Sequence, residues 1–155
     1  MASELLQKLG GAQTLTITMS SIANAAGQIS TVVDNTVTRA PMGFLAVKVR
    51  TGGSAPSANY PYKFYLIRRS NAGVDLADSG LGLVNAAVST EPANADLVGV
   101  YNVPASTAFD CIRVFVLYDL PAKFSIVFWN GAGQTTDTTA GNHVMQFIPV
   151  TLEAQ

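Results

Sequence analysis

Side chains that carry chemistry are scarce in this sequence. Its 155 residues hold one His, one Cys and one Trp, and only 12% are charged. A single Cys excludes an internal disulfide and a zinc site built from cysteines. Cys111 lies inside the apolar run Cys111-Ile-Arg-Val-Phe-Val-Leu117, where it reads as a small buried hydrophobe rather than a nucleophile. Nine Lys and Arg stand against ten Asp and Glu, for a net charge of −1. Arg68-Arg69 is the only basic pair, and nucleic acid binding needs clustered cations, so no nucleic-acid partner is expected. No run reaches the roughly 18 apolar residues of a membrane helix, and no membrane partner is expected either. The first eleven residues lack the basic start and long apolar stretch of a signal peptide, which points to synthesis in a cytoplasm.

What is present is apolar and strand-like. Hydrophobic residues make up 48% of a chain long enough for one domain with a real core. So much apolar area with so few charges points to burial against another chain. Self-association is therefore expected.

Ser3 to Leu9 suggests one or two helical turns, broken by Gly10-Gly11. So short a helix is marginal alone, so residues 1–11 read as an arm that orders on docking, with the glycines as a flexible joint. Residues 12–155 form the body. Thr14 to Met19 alternates strictly, with Leu15, Ile17 and Met19 on one face, as a half-buried strand does. Further strands are expected over Gln28–Val33, Gly43–Arg50, Tyr60–Arg69, Ala95–Val103, Phe109–Leu117, Lys123–Asn130 and Asn142–Leu152. A short one is expected near Ala86–Val88 in a long loop over Asp75–Asn94. Leu45, Val47 and Val49 should point inward, as should Tyr62, Phe64 and Leu66, and Phe124, Ile126 and Phe128. Gly52 to Ser57, Asn71-Ala-Gly73 and Asn130 onward are loops or turns. Short strands with turn signals and no long helical pattern predict an all-β fold, a β-sandwich or a small barrel.

The usual chemical signatures fail. Gly131-Ala-Gly-Gln-Thr-Thr136 lacks the Lys of a phosphate loop. Gly53-Ser54-Ala55-Pro56 lacks the second Gly of a nucleophile elbow, and one His leaves few bases to serve it. His143, near Asp137, has too few companion donors for a metal site and reads as a structural residue opening the last strand. Asp75 with Asp78, or Asp137 with Thr carbonyls, offers a loop for calcium, but no EF-hand spacing is present. No catalytic residue, metal or cofactor is expected. Tyr60, Tyr65, Tyr101, Tyr118 and Trp129 fall on strand faces opposite the core. They suit a protein interface, a sugar-stacking surface, or cover beneath a loop.

Several segments resemble a family of small virion proteins of tailed bacteriophages. They are Val33-Asp34-Asn35-Thr36, Leu45-Ala-Val-Lys-Val-Arg-Thr-Gly-Gly-Ser-Ala-Pro-Ser57 and Tyr62-Lys-Phe-Tyr65, then Leu97-Val-Gly-Val100, Leu120-Pro-Ala-Lys-Phe-Ser-Ile-Val-Phe-Trp-Asn130 and Gly141-Asn142-His143. They follow the family's order and cover most of the chain after residue 28. The first 27 residues carry no resemblance. The family is similar to jelly-roll capsid decoration, or cement, proteins and brings no site residues with it. The resemblance implies an all-β fold, a single antiparallel two-sheet sandwich of jelly-roll type with a short N-terminal arm. It also implies a non-enzymatic virion structural protein on the capsid exterior, made in the host cytoplasm. Such a protein would be a homotrimer that stabilises capsomer junctions by contact with the major capsid protein or other virion proteins. Leu5, Leu6 and Leu9 of the arm, with Tyr60, Tyr65 and Trp129, are the residues expected at its interfaces. The competing reading is a jelly-roll carbohydrate- or receptor-binding module of a tail fibre or baseplate, which predicts aromatics gathered in one groove.

Overall fold

The computed structural model describes residues 5–56, 60–70 and 85–154. The turn at Asn71-Ala-Gly73 and the candidate calcium ligands Asp75 and Asp78 lie outside the described residues. The strands are β1 (Leu5–Leu9), β2 (Gln13–Thr14), β3 (Ala26–Ile29), β4 (Val33–Asp34), β5 (Met42–Arg50), β6 (Pro61–Arg69), β7 (Ala86–Val88), β8 (Asp96–Asn102), β9 (Asp110–Tyr118), β10 (Lys123–Asn130) and β11 (Val144–Ala154). Among the described residues the sole helical element is a 3-10 turn, Ala140–Asn142, and no helix is long and apolar enough to cross a membrane.

Two antiparallel sheets result. The first runs β1-β11-β5-β9, with β2 also beside β11; the second runs β7-β3-β10-β6-β8, with β4 also beside β10. Taking β1/β2 and β3/β4 as interrupted strands, and setting aside the short edge strand β7, the chain has eight principal strands. Their orders are 1-8-3-6 and 2-7-4-5, the interleaved Greek keys of a jelly-roll sandwich.

Period-two alternation places the core as expected. Leu45, Val47 and Val49 of β5 meet Tyr62, Phe64 and Leu66 of β6 and Phe124, Ile126 and Phe128 of β10, with Met145 and Phe147 of β11 closing the cluster. The Phe128 ring lies 5.2 Å from Tyr62 and 5.6 Å from Phe64, and Phe124 meets Phe147 edge-on at 5.2 Å.

The N-terminal segment departs from the sequence reading. Leu5 to Leu9 is a strand, paired residue for residue with Ala154 to Val150. β11 outruns β5, whose register ends at Met42 opposite Val150. The ladder offered by the overhang outweighs the weak helical propensity of a five-residue segment. Gly10 is not a free joint: its N–H donates to the Pro149 carbonyl at 2.8 Å, and a Cβ there would stand 2.7 Å from the Pro149 ring.

Two other strands are shorter than expected. Of the Thr14–Met19 run only Thr14 joins a ladder, together with Gln13 before it. Leu15 and Met19 are buried as the alternation requires, but left-handed backbone at Ser21 and Ala25 (φ 58° and 54°) turns the chain away. Side chains hold this coil instead. Thr136 Oγ1 donates to the Met19 carbonyl at 2.7 Å and accepts from Ile22 N–H at 2.8 Å. The Asn130 amide donates to the carbonyls of Ile22, Gln134 and Ala23 at 2.8, 2.7 and 3.2 Å. The expected strand over Gln28–Val33 is split into β3 and β4 by residues whose hydrogen bonds run elsewhere, as with Thr31 N–H to the Thr16 carbonyl.

Candidate interaction surface

With Leu45, Val47 and Val49 directed inward, the alternate residues of β5 must face out. The ladders then set outward residues in rows across the first sheet. One row is Tyr118, Met42 and Leu9, with Val150 buried between the last two; the next is Val116, Phe44 and Ile148. Then come Val114, Ala46, Gln146 and Thr14, followed by Ile112, Lys48 and Val144. An antiparallel sheet facing water normally carries polar residues on that side. Within these rows only Thr14, Gln146 and Lys48 interrupt apolar side chains, with Gln7 beside Leu152 at one end of the face and Arg50 beside Asp110 at the other.

This face is open. Ile112 is 63% exposed, Val114 58%, Tyr118 69% and Leu9 63%, with Val116, Val144 and Leu152 between 37% and 51%. Those seven side chains leave roughly 600 Å² in water, at the top of the range of about 300–600 Å² for the largest patch on an ordinary monomer. Charge is confined to one corner. Lys48 and Arg50 pair with Asp110 at 3.3 and 3.8 Å. Arg50 is what compensates Asp110 Oδ1, a buried oxygen with no hydrogen bond of its own.

The second sheet is treated differently. Its outward side also carries apolar residues, Ile29, Tyr65, Ile67, Val127 and Trp129, but Val88 and the half-buried Ala86 and Ala95 pack with them into a small second core. The segment between β7 and β8 crosses this face. There Glu91 accepts from Lys63 Nζ at 2.7 Å and from the Tyr65 hydroxyl. Burial pushes the Tyr65 hydroxyl pKa up, and the Glu91 hydrogen bond adds to it. Burial acts to raise the Glu91 pKa, but the bonds from Lys63 and Tyr65 outweigh it and hold the carboxyl below its usual range.

The residues singled out from sequence therefore scatter. Tyr65 and Trp129 are each 6% exposed beneath that cover and are not available to a partner, which corrects their assignment to an interface. They do lie opposite the main core, but the chain itself covers them. Tyr60, just before β6, is half exposed. Leu6 and Leu9 are exposed on β1, and Leu9 belongs to the apolar face; Leu5 lies in the same strand. Tyr101 leans on the core, with its hydroxyl near the Cys111 thiol, whose pKa burial pushes up to about 11. Tyr118 is the outward aromatic that joins the face.

His143 is built in rather than presented. Its Nδ1 accepts from Arg50 N–H at 3.3 Å and its Nε2 lies 2.9 Å from the Asp137 carbonyl. Burial pushes its pKa below the usual imidazole value, against the opposing pull of the Asp137 carbonyl. The Asp137 carboxylate accepts from the Asn142 amide and Thr139 N–H, which hold its pKa low. Among the described residues no three His, Cys, Asp or Glu stand together as a metal site would need.

Sequence reasoning missed Ile112, Val114 and Val116. The signal was available: in Cys111 to Leu117 both parities are apolar except at Arg113, and a strand with two apolar faces needs two covers. Neither a protein-family model nor a curated protein matches this sequence.

Proposed function

We propose that this chain is a non-enzymatic structural protein of a phage particle, a decoration protein of the capsid exterior that stabilises capsomer junctions. The observation that carries this reading is the open apolar face of the first sheet. A surface of that size is costly to leave in water, at about 25 cal/mol per Å², and its chemistry suits permanent burial against a neighbouring subunit. The resemblance to tailed-phage virion proteins supplies the setting. The partners on this reading are the major capsid protein and further copies of the chain.

A sugar-binding module would need its aromatics together. Tyr60 and Tyr118 stand at opposite ends of the sandwich. Tyr118 shares a groove with Arg68, eight residues along β6 from Tyr60, or about 25 Å of strand. No observation favours that alternative.

The test uses phage particles that lack this protein. The purified chain should cosediment with them and raise the temperature at which they rupture. Ile112→Lys, which places a charge on the face, should abolish both effects. Failure of the unaltered chain to bind and protect particles would overturn the reading.

A further inference from the structure

We propose that the occupant of the apolar face is a second copy of this chain, packed face to face across a twofold axis that runs across the strands between the Phe44 and Ala46 rows. The inference rests on the face being the working surface, but not on the phage setting. Four observations carry it.

The first is that the chain covers one of its two apolar sheet faces and leaves the other open. Glu91, Val88 and their neighbours close the second sheet, and among the described residues nothing comparable lies over Ile112, Val114 and Tyr118.

The second is area. The roughly 600 Å² of the most exposed side chains, with half-buried Met42, Phe44, Ala46 and Ile148 beside them, approaches the about 800 Å² that each partner of a stable dimer buries.

The third is relief. Side-chain size sets the relief at the centre of the face: Phe44 raises the middle of its row, between Val116 and Ile148, and the small Ala46 leaves a dip in the adjacent row, between Val114 and Gln146. In an isologous contact the same patch must fit itself. The proposed axis lays the raised row of each copy over the dip of the other, while β5 stays over β5. An axis along the strands would instead set Phe44 upon Phe44.

The fourth is charge. Lys48, Arg50 and Asp110 occupy one end of the face, with a surplus of one positive charge (two cations, one anion). An axis along the strands would bring this corner near its own copy. The proposed axis sends it to the Met42 end of the other copy, away from its like.

Sedimentation equilibrium of the full chain should give twice the 16.2 kDa chain mass. Val114→Lys should raise the dimer dissociation constant about 100-fold or more, because the ammonium is desolvated without a partner. Phe44→Ala and Ala46→Phe should each weaken the dimer, and the two together should restore it, since the raised row and the dip merely change places. Circular dichroism checks that each variant folds. Val114 lies on an edge strand and points to water, so that variant keeps the test valid if a β5 variant fails to fold. A monomer or a trimer for the unaltered chain overturns the proposal, as does a double variant no tighter than either single one. A monomer that still protects particles overturns the twofold and leaves the assembly reading standing. A dimer that ignores particles supports the twofold and overturns the assembly reading.

Discussion

Asn130 ends β10 and ties it to the coil that replaces the expected second half of the first strand. The side chain is fully buried. Its amide donates to the Ile22, Gln134 and Ala23 carbonyls, and its oxygen accepts from Ala132 N–H at 2.9 Å. Asn130→Asp keeps the shape and the acceptor and removes both donors, so no cavity term enters. Two strong hydrogen bonds are lost, at about 0.5–1.5 kcal/mol each. The Ile22 carbonyl keeps the Thr136 N–H at 3.0 Å, while the Gln134 carbonyl loses its side-chain donor at a further cost of about 1 kcal/mol or more, for a total of about 2–4 kcal/mol. That is a large part of the about 5–15 kcal/mol that holds a domain together. The sign with pH follows. A buried carboxyl facing carbonyl oxygens holds its proton more tightly when folded than when unfolded, so its folded pKa rises above about 3.9. The folded variant then binds more protons than the unfolded one, and its stability falls as pH rises from about 4. Urea denaturation followed by fluorescence of the single, buried Trp129 reads the effect. The deficit relative to the unaltered chain should be smaller at pH 4 than at pH 7. A deficit below about 1 kcal/mol at pH 7, or one that shrinks as pH rises, would refute this account of the clamp.

Two further outcomes are expected. Phe128→Ala removes a fully buried ring that touches Tyr62 and Phe64 and should cost about 3–5 kcal/mol by the same assay; less than about 1 kcal/mol would show the inward register of β10 to be wrong. His143, its pKa lowered by burial, binds its proton less readily when folded, so the stability it contributes is present above about pH 6.5 and is lost as pH falls below it. His143→Gln should flatten that part of the curve of urea midpoint against pH, and an unchanged slope would count against the assignment.

The core was legible because large apolar residues recur at every second position of β5, β6 and β10, even though the other face of β6 and β10 is apolar too. Each inward residue of Leu45, Val47 and Val49 has a more polar or smaller neighbour, or one that the strand period places opposite. The jelly-roll order was legible only as a class, since strand spacing says that a sandwich forms and not which strands are neighbours. The N-terminal strand was illegible for a physical reason. Its partner, Val150 to Ala154, lies more than 140 residues away, and no local pattern reports a ladder made at that range. Tyr65 and Trp129 were placed on the correct face, but whether a face is wet depends on a covering segment whose path local periodicity does not encode. The apolar face was obscured by β9 itself. A strand apolar on both sides has no alternation, so the run from Cys111 read as burial alone, without the two different kinds of burial that Leu117 and Val116 represent.

The position of β11 bears on how the protein is made. It lies between β5 and β1, so a nascent chain that has emerged only to His143 lacks the strand that joins β1 and β2 to the rest of the first sheet. β5 and β9 can pair by then, but the inward residues of β5 still lack Met145 and Phe147. Folding of this sheet therefore waits for β11 to clear the ribosome and then joins segments far apart in sequence, which makes it slow for a chain of this size. During that interval both sides of β5 and β9 are exposed. A cell making many copies at once must keep these half-sheets from meeting one another before β11 arrives.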